Sequence, residues 1–280
     1  MILCMTILFD RSENEGGAAM PAVIQKLETV DRLDRELTIE SDFILYSNIH
    51  VRNERCIYLV EHEGERVSLL GSYLQGLPFH AFTFRAFGDS KRSVAAILQV
   101  FKAELGFEPT QPLDGIVTVA ESAMRQLELP VVKGIRQLEL MKLQRTDLLL
   151  PPGRSRVLEA ADLVEVNRLS REASLMTFRD EELAAMPHLG LFDDTGALVS
   201  MAGFHTFDKA FVELGNIATS AAYRKQGLGA QITSDICRVA LEKTAHVYLC
   251  VFADNPAAIH MYRKIGFETV ETYAFLEIAW

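Results

Sequence analysis

Two stretches near the C-terminus combine residue types and spacings that could bind an anion and organise chemistry beside it. The first, "IATSAAYRKQGLGA", joins a predicted strand to a predicted helix through Arg224-x-x-Gly227-x-Gly229. The first N–H groups of a helix lack partners within the helix and the helix dipole is positive there, so this turn could hold a phosphate. The spacing matches neither a P-loop nor a dinucleotide-binding fingerprint. A tight strand-to-helix connection that simply needs glycine is the alternative, and this loop alone leaves both open.

The second stretch, "NPAAIHMYRKIGF", has the features of a short helix over about Pro256–Lys264 with a marked start and end. Asn255 can cap the helix, and Pro256 suits the first turn because its missing N–H would be unpaired there anyway. Tyr262 follows near the end of the helix, and Gly266 ends it before a core strand that begins at Phe267. Taken singly, these residues are typical of a cap, a core aromatic residue and a C-cap.

The second half of the chain alternates helices and strands around these two stretches. We predict helices over "EAADLVEVNRLSREA" and "RDEELAAM", then a hairpin around the turn Asp194-Thr195-Gly196. A third strand, "AFVELGNIATS", leads to the glycine loop, and the helix after the loop has an apolar face. That face consists of Ile232, Ile236, Val239 and Ala240. "HVYLCVF" is apolar nearly throughout, as expected of a strand buried on both faces, and "YAFLEIAW" is predicted to close this sheet.

The first half shows a similar order of predicted elements. A long helix over Val23–Tyr46 precedes the strands "CIYLVEHEG", "RVSLLGSYL" and "FHAFTFRAF". The next helix has Asp89 as its predicted N-cap and Gly106 as its stop, and "GIVTVA", "ESAMRQLEL" and "IRQLELMKLQ" follow as strand, helix and strand. The repeated alternation suggests a duplicated domain, with the halves joined near the Pro- and Gly-containing "LLLPPGRSR". We therefore predict a flexible tail over residues 1–20 and domains over residues 21–150 and 151–280.

Composition narrows the class of protein. The 280 residues are 49% hydrophobic and 24% charged, as in globular proteins, and the net charge of −10 argues against nucleic acid as a partner. The four cysteines show no CxxC spacing and no His companions, which argues against disulfides and a metal site and favours a cytoplasmic protein. The N-terminal "MILCMTILFD" is too short to span a bilayer and lacks the features of a signal peptide, so we expect no membrane association. Translation could also begin at Met5 or Met20.

Together, the two stretches resemble the paired motifs of the GNAT superfamily of N-acetyltransferases. The motifs are Arg224-x-x-Gly227-x-Gly229 and Asn255-x-x-Ala258-x-x-x-Tyr262-x-x-x-Gly266-Phe267, separated by one predicted helix and one predicted strand. The resemblance covers roughly residues 156–280. "ELGNIATSAAYR" is similar to the branch with the glycine N-acyltransferase-like proteins, some of which carry a degenerate first copy of the fold. The resemblance implies an α/β (α+β) fold of two tandem GNAT-like domains, each with a mixed, mostly antiparallel central sheet flanked by helices.

The resemblance also implies an acyl-CoA-dependent N-acyltransferase that moves acetyl from acetyl-CoA to a primary amine by direct attack in a ternary complex, without a metal. The acceptor would be an amine of a small molecule or a protein. The pantetheine arm of acetyl-CoA would lie along the strand before the glycine loop, the pyrophosphate would lie in the loop, and Asn255 would support its helix start and contact the cofactor. The cofactor-binding residues implied in this way are Ile217, Ala218, Thr219, Arg224, Lys225, Gln226, Gly227, Leu228, Gly229, Ala230 and Asn255. Tyr262 would protonate the departing thiolate, a role that the high ordinary pKa of tyrosine suits.

The attacking amine must be neutral, so the reaction needs a general base. Glu213 is the leading candidate, because several members of the family carry a carboxylate at this place in the strand, and it would act through water. The alternative for Glu213 is a solvent-facing strand residue. His205 and His246 are fallback bases, although each is more often an ordinary strand residue.

The first half lacks the two motifs. Its corresponding junction, "RAFGDSKRSV", has the single Gly88 followed by Asp89, whose charge would repel a pyrophosphate, and "AESAMRQLEL" has neither the Asn start nor the Tyr-Gly-Phe exit. We therefore expect this half to have lost cofactor binding and to keep a structural or substrate-shaping role. Two other functions stay open: a non-catalytic CoA-binding or scaffold protein, and a transferase that uses aminoacyl-tRNA, against which the acidic charge balance weighs.

Overall fold

Two compact units divide the chain in the computed structural model, which describes residues 7–8, 23–28, 36–175 and 178–280. Unit 1 holds the residues up to Gln137 together with Thr272–Trp280, and unit 2 holds Leu138–Glu271. The Pro- and Gly-containing segment predicts a division after residue 150, with the whole C-terminus in the second domain. The units divide elsewhere because one strand runs through Gln137 without a break, and because the end of the C-terminal strand pairs within unit 1.

Unit 1 contains a sheet with helices packed against it. Its elements are β1 (Ile7–Leu8), β2 (Val23–Leu27), α1 (Phe43–His50), β3 (Cys56–Glu63), β4 (Arg66–Leu74), β5 (Ala81–Ala86), β6 (Arg92–Ser93), α2 (Ala95–Glu104), β7 (Asp114–Ala120), α3 (Glu121–Met124), β8 (Leu127–Glu128) and the start of β9 (Val131–Leu143). The sheet has the order β1-β2-β3-β4-β5-β7 and ends with Tyr273–Ala279 of the C-terminal strand. β5 and β7 are parallel, the other neighbours in this sheet are antiparallel, and β6 and β8 pair separately.

Unit 2 repeats this construction. Its elements are the end of β9, β10 (Arg156–Val157), α4 (Leu163–Glu172), α5 (Asp180–Ala185), β11 (His188–Phe192), β12 (Leu198–Phe207), β13 (Val212–Thr219), α6 (Leu228–Leu241), β14 (Val247–Phe252), α7 (Pro256–Lys264) and the start of β15 (Phe267–Ala279). The sheet order is β9-β14-β13-β12-β11-β10, in which the described pairs are antiparallel except β13 with β14. The predicted fold class, two tandem α/β domains with mixed, mostly antiparallel sheets and flanking helices, is confirmed.

The helices of unit 2 cover both faces of its sheet. On one face, α6 buries Ile232, Ile236 and Ala240 in the largest cluster of the unit, as its apolar periodicity predicts, and α7 adds Ile259 and Tyr262. On the other face, α4 buries Val166 and Leu169 in a cluster with residues of β12 and β13. β13 therefore lies between packed layers, which hold the strand in place.

The predicted long helix over Val23–Tyr46 is wrong. Val23–Leu27 is β2, which pairs antiparallel with β3, and only Phe43–His50 is helical, while residues 29–35 lie outside the described part of the chain. "VIQKL" alternates apolar and polar residues, and pairing with β3 supplies the hydrogen bonds that a helix would otherwise provide. The predicted flexible tail also lies outside the described residues, except Ile7 and Leu8, which form β1.

The predicted cap of the second helix is also wrong. Asp89 does not cap α2, which begins at Ala95. The two residues of β6 intervene, because they pair with β8 in a short parallel ladder. Pairing with a strand distant in sequence thus moves the start of the helix toward the C-terminus.

The C-terminal strand does not close the sheet of unit 2 as predicted. Within "YAFLEIAW", the residues up to Ala279 pair with β7 in unit 1. β14 pairs instead with Leu138–Lys142 of β9. The choice between two apolar strands as the neighbour of β14 depends on packing, which the local pattern of either strand does not reveal.

Candidate active site

A gap opens between the two parallel strands of unit 2. β13 and β14 pair only through three residues each, Val212–Leu214 with Val247–Leu249. Beyond this point β13 continues to Thr219 and β14 continues to Phe252, but the two strands no longer pair with each other. Asn216 has a φ of 54°, a left-handed conformation that is uncommon outside glycine. The backbone of β13 is therefore irregular at the place where the gap begins.

The far end of β13 is ordered by hydrogen bonds to its carbonyl groups. The Ala218 carbonyl accepts a hydrogen bond from Ser200 Oγ at 3.0 Å, and the Thr219 carbonyl accepts one from Arg224 Nε at 3.2 Å. On its outer side the strand pairs with β12 through Ser200 opposite Thr219 and Met201 opposite Ala218. The segment predicted to face the pantetheine arm is thus held against β12, with its other edge toward the gap.

The glycine loop leads from the gap to the start of α6. Arg224, Lys225, Gln226 and Gly227 are exposed, and Gly227 is the N-cap residue with a φ of +83° and no side chain capping the helix. A Cβ at Gly227 would meet no atom within 4 Å, so this position needs glycine for its left-handed backbone and faces open space. The N–H groups of residues 228–230 form the uncapped first turn of α6. This arrangement can bind an anion.

The second glycine of the motif has a different reason for its presence. A Cβ at Gly229 would lie 3.0 Å from Met261 Sδ of α7 and 3.5 Å from Thr219 Oγ1. Gly229 therefore allows α7 to pack closely against the first turn of α6. Because Met261 precedes Tyr262, this contact also places the start of α6 beside the helix that carries the predicted general acid.

Two carboxylates that the sequence analysis did not identify anchor the loop. Glu172, at the end of α4, accepts hydrogen bonds from the Ala221 N–H at 2.6 Å and from Ser220 Oγ at 2.9 Å. Asp193, in the hairpin turn, accepts a hydrogen bond from the Tyr223 hydroxyl at 2.6 Å. Both anchors are far from the loop in sequence and reach it only through the fold, so no local pattern points to this role.

The anchoring hydrogen bonds also keep the two carboxyl groups ionised. The Ala221 N–H, followed by the Ser220 hydroxyl, lowers the pKa of Glu172. The Thr195 hydroxyl, followed by the Tyr223 hydroxyl, holds the pKa of Asp193 well below its usual range. The loop is therefore fastened by charged acceptors, whose hydrogen bonds are stronger than those of neutral groups.

The helix α7 has the predicted ends. Asn255 caps it, because its side-chain oxygen accepts a hydrogen bond from the Ala258 N–H at 3.2 Å, and Pro256 occupies the first turn. Tyr262 is 7% exposed, and its ring makes an edge-on contact with Phe267 at a centroid distance of 6.0 Å. Burial raises the pKa of Tyr262, and the buried thiol at position 237 adds to this shift. The phenol therefore keeps its proton over the whole neutral range, as a general acid must.

Glu213 lies on β13 within the three paired residues that precede the gap. It is 6% exposed and accepts a hydrogen bond from Thr206 Oγ1 at 2.9 Å. The alternative of a solvent-facing glutamate is therefore wrong, because Glu213 is buried beside β12. His246 is exposed and precedes β14 at the closed end of the strand pair, away from the gap.

His205, the other fallback base, belongs to a largely buried group of polar side chains that we call the polar cluster: Glu182, His188, His205 and Asn216. Asn216 Nδ2 donates to Glu182 Oε2 at 3.0 Å and lies 3.3 Å from His188 Nε2, while His205 Nδ1 lies 3.9 Å from Glu182 Oε2. The ring of His188 fills the space in which a Cβ at residue 203 would lie, so that Gly203 is required for the cluster to form. Four separate elements supply its members, and the sequence analysis did not identify it as a group.

Comparison with known proteins agrees with this geometry. Residues 156–267 match the model of the acetyltransferase (GNAT) family. A comparison with curated proteins finds no match. In the described part of the chain, no helix is long and apolar enough to cross a membrane, and no group of three or more His, Cys, Asp or Glu side chains is arranged to hold a metal ion.

Solved structures similar to this chain include several of the same fold. An acetyltransferase of the GNAT family from Colwellia psychrerythraea has a TM-score of 0.59 at 9% identity, covering 91% of this chain and 99% of its own. A Drosophila protein has a TM-score of 0.57 at 16% identity, covering 89% of this chain and 86% of its own. A tandem GNAT protein from the clavulanic acid biosynthesis pathway has a TM-score of 0.56 at 17% identity, covering 84% of this chain and 86% of its own. At these identities the likeness shows the fold.

The gap between the parallel strands and the uncapped glycine loop both lie within the residues that match this family model. The match to the acetyltransferase (GNAT) family covers residues 156–267, which is less than half of the chain. The narrower resemblance to glycine N-acyltransferase-like proteins stays a prediction.

Proposed function

We propose that this protein is an acyl-CoA-dependent N-acyltransferase, which moves acetyl from acetyl-CoA to a primary amine by direct attack in a ternary complex. The observation that carries the proposal is the gap between β13 and β14, which leads to the uncapped N-terminus of α6. The family match supports acetyl-CoA as the acyl donor. We propose an amine of a small molecule or a protein as the acceptor, and a cytoplasmic location stays a prediction.

The residues along the gap fit acetyl-CoA. The loop from Arg224 to Ala230 combines two exposed cations with the free N–H groups of a helix start, which suits a pyrophosphate. Lys225 and Gly227 both have positive φ angles, 63° and 83°, so the backbone turns sharply before α6 begins. Residues 217–219 would line the pantetheine arm, and Asn255 would hold the start of α7 beside it.

Acetyl-CoA, when bound, supplies a thioester with an electrophilic carbonyl carbon and a thiolate leaving group. In this proposal Glu213 removes a proton from the acceptor amine through a water molecule, because the attacking nitrogen needs a free electron pair. Tyr262 gives its proton to the sulfur atom, which prevents the thiolate from re-forming the thioester. Burial of Tyr262 supports this role, since it keeps the phenol protonated until negative charge develops on the sulfur.

Unit 1 is proposed to be a degenerate copy of the same fold. Its parallel strands β5 and β7 also pair only at one end, Ala81–Phe82 with Ile116–Val117, and α2 connects them. This repetition supports a duplication. However, β6 separates Gly88 from α2, so the glycine of unit 1 does not lead directly into a helix as Gly227 does. We therefore expect one molecule of acetyl-CoA for each chain.

Calorimetric titration with acetyl-CoA tests the proposal. We expect one site per chain, and we expect Gly227→Val to abolish binding because valine strongly disfavours a left-handed backbone. Gly196→Val is the matched control: Gly196 has a φ of +85° and open surroundings, but it lies in the hairpin turn. It should lower stability without changing the affinity. Two sites per chain would contradict the assignment of unit 1, and no binding by the folded wild-type protein would contradict the acetyl-CoA proposal.

A further inference from the structure

The polar cluster contains a carboxylate without a permanent cationic partner. The Glu182 side chain is only 16% exposed, yet no Lys or Arg among the described residues lies within ion-pair distance of it. Its contacts are the amide of Asn216, which is neutral, and the ring of His205 at 3.9 Å, and histidine is not a permanent cation. A carboxylate taken out of water in this way normally requires a charged partner.

The surroundings nevertheless keep Glu182 ionised. Burial raises the pKa of this carboxyl group, but the adjacent His205 ring and Asn216 amide outweigh burial, so that the pKa lies below its ordinary value. The buried His188 adds no competing positive charge at neutral pH, because burial lowers its pKa. The cluster therefore holds an ionised carboxylate, and the side chains of Glu182 and His205 stay partly exposed, by 16% and 22%.

The polar cluster adjoins the place where the gap begins. Asn216 follows Gly215, the first residue of β13 beyond its last pair with β14, and it carries the irregular backbone of that segment. A Cβ at Gly215 would lie 2.6 Å from His205 Cβ, so the His205 side chain lies directly over this residue. The Glu182 carboxylate therefore lies one hydrogen bond, 3.0 Å long, from the residue at which the gap begins.

We infer that Glu182 binds a positively charged group of the acceptor that is distinct from the amine that reacts, so that the preferred acceptors are aliphatic diamines or longer polyamines. The inference rests on the proposed N-acyltransferase function. A carboxylate next to the reacting nitrogen would favour its ammonium form, by about 1–3 pKa units, and would lower the concentration of the attacking amine. A second cationic group on the acceptor is attracted to the carboxylate in the same way, and the reacting nitrogen is then not held in its ammonium form.

Steady-state kinetics with matched acceptors test the inference. The probes are straight-chain α,ω-diamines from propane to hexane, each compared with the monoamine and the amino alcohol of the same length. We expect the best diamine to exceed its monoamine in kcat/KM by about 30-fold, equal to ~2 kcal/mol, and Glu182→Gln to remove this preference. The amide introduced by Glu182→Gln is similar in size to the carboxylate and can still accept the Asn216 hydrogen bond, so this variant should fold. Glu182→Asp, which keeps the charge, should restore part of the preference.

Glu181→Gln is the matched control, because Glu181 is the neighbouring carboxylate on α5, is 75% exposed and pairs with Arg179 at 3.3 Å. It should leave the ratio of diamine to monoamine unchanged. An equal loss for diamines and monoamines in Glu182→Gln would overturn the inference, since Glu182 would then act on the reacting amine. Equal turnover of diamines and monoamines by the wild-type protein would also overturn the inference.

Direct binding separates this inference from the proposed function. Titration of the wild-type protein with the same diamines, in the presence of CoA, should give a dissociation constant that Glu182→Gln raises by about 30-fold. If acetyl-CoA binds and diamines bind through Glu182 but no amine is acetylated, the proposed function fails and the binding site stands. If monoamines are acetylated but diamines show no preference in binding or turnover, the function stands and the inference is wrong.

Discussion

Replacing Tyr262 by phenylalanine removes the proposed general acid while leaving the packing of α7 intact. The ring lies against Phe267 at 6.0 Å, and phenylalanine keeps that contact. Among the described residues, the Tyr262 hydroxyl has no hydrogen-bond partner, so its removal leaves no buried donor or acceptor without its partner. We therefore expect the free energy of unfolding to change by no more than about 1 kcal/mol.

The effect on turnover should be much larger. A positioned general acid typically contributes about 10²–10⁴-fold to the rate, so we expect kcat to fall within this range, equal to ~3–5 kcal/mol of transition-state stabilisation. Affinity for acetyl-CoA should stay within about twofold of the wild-type value, because the hydroxyl is needed only when the sulfur departs. Thiol release measures kcat, calorimetry measures the affinity, and thermal unfolding measures stability.

Tyr273→Phe is the matched control and should show the opposite pattern. The Tyr273 hydroxyl, in unit 1, accepts a hydrogen bond from the Phe43 N–H and donates one to the Glu40 carbonyl, both at 2.7 Å. Its loss should lower stability by roughly 1–3 kcal/mol and leave kcat unchanged. If Tyr262→Phe kept kcat within about threefold of the wild type, Tyr262 would not be the general acid, and a CoA-binding protein without turnover would gain support.

The remaining predictions concern the proposed base, the loop anchor and two titrating groups. Glu213→Gln should lower kcat/KM about 100-fold, because glutamine keeps the Thr206 hydrogen bond but cannot take a proton; initial rates measure this. Glu172→Ala should raise the Kd for acetyl-CoA about fivefold by releasing the loop, with kcat at saturation unchanged; calorimetry and initial rates test both parts. Because burial raises the pKa of Tyr262, its proton should persist above the ordinary value of about 10, and kcat should not decline with Tyr262 ionisation up to about pH 10. Burial lowers the pKa of His188, so as the pH falls the unfolded chain binds a proton at a higher pH than the folded chain does. Tm should therefore fall as the pH drops below about 6.5. His188→Gln should reduce the slope of Tm against pH.

A different result would contradict each of these predictions. Glu213→Gln with wild-type kcat/KM would leave His205 as the base to test next, and a change in kcat alone for Glu172→Ala would contradict its role as an anchor of the loop. An alkaline loss of kcat that disappears in Tyr262→Phe would show that the phenol ionises within the assay range. A slope of Tm against pH that His188→Gln does not change would assign the acid sensitivity to other groups.

Local signals in the sequence predict the parts of the site that depend on short-range hydrogen bonds. The bounds of α7 agree with the prediction because Asn255 caps it, Pro256 suits its first turn and Gly266 ends it, all within one short segment. The start of α6 at the left-handed Gly227 likewise depends on residues within one short segment. Where a partner distant in sequence decides the structure, the prediction fails: β2 is a strand and not a helix, and Asp89 does not cap α2.

The sequence by itself determined the helix starts of the site, the alternation of strands and helices around it and the resemblance to acetyltransferases, because each depends on residues a few positions apart. Only the tertiary structure decided that β13 and β14 separate after three pairs, that Glu213 is buried against Thr206, and that Glu172 anchors the loop. The polar cluster depends on contacts between β11, β12, β13 and α5 and on the space that Gly203 leaves for His188. Such contacts form only when distant segments pack together, and no local spacing encodes them.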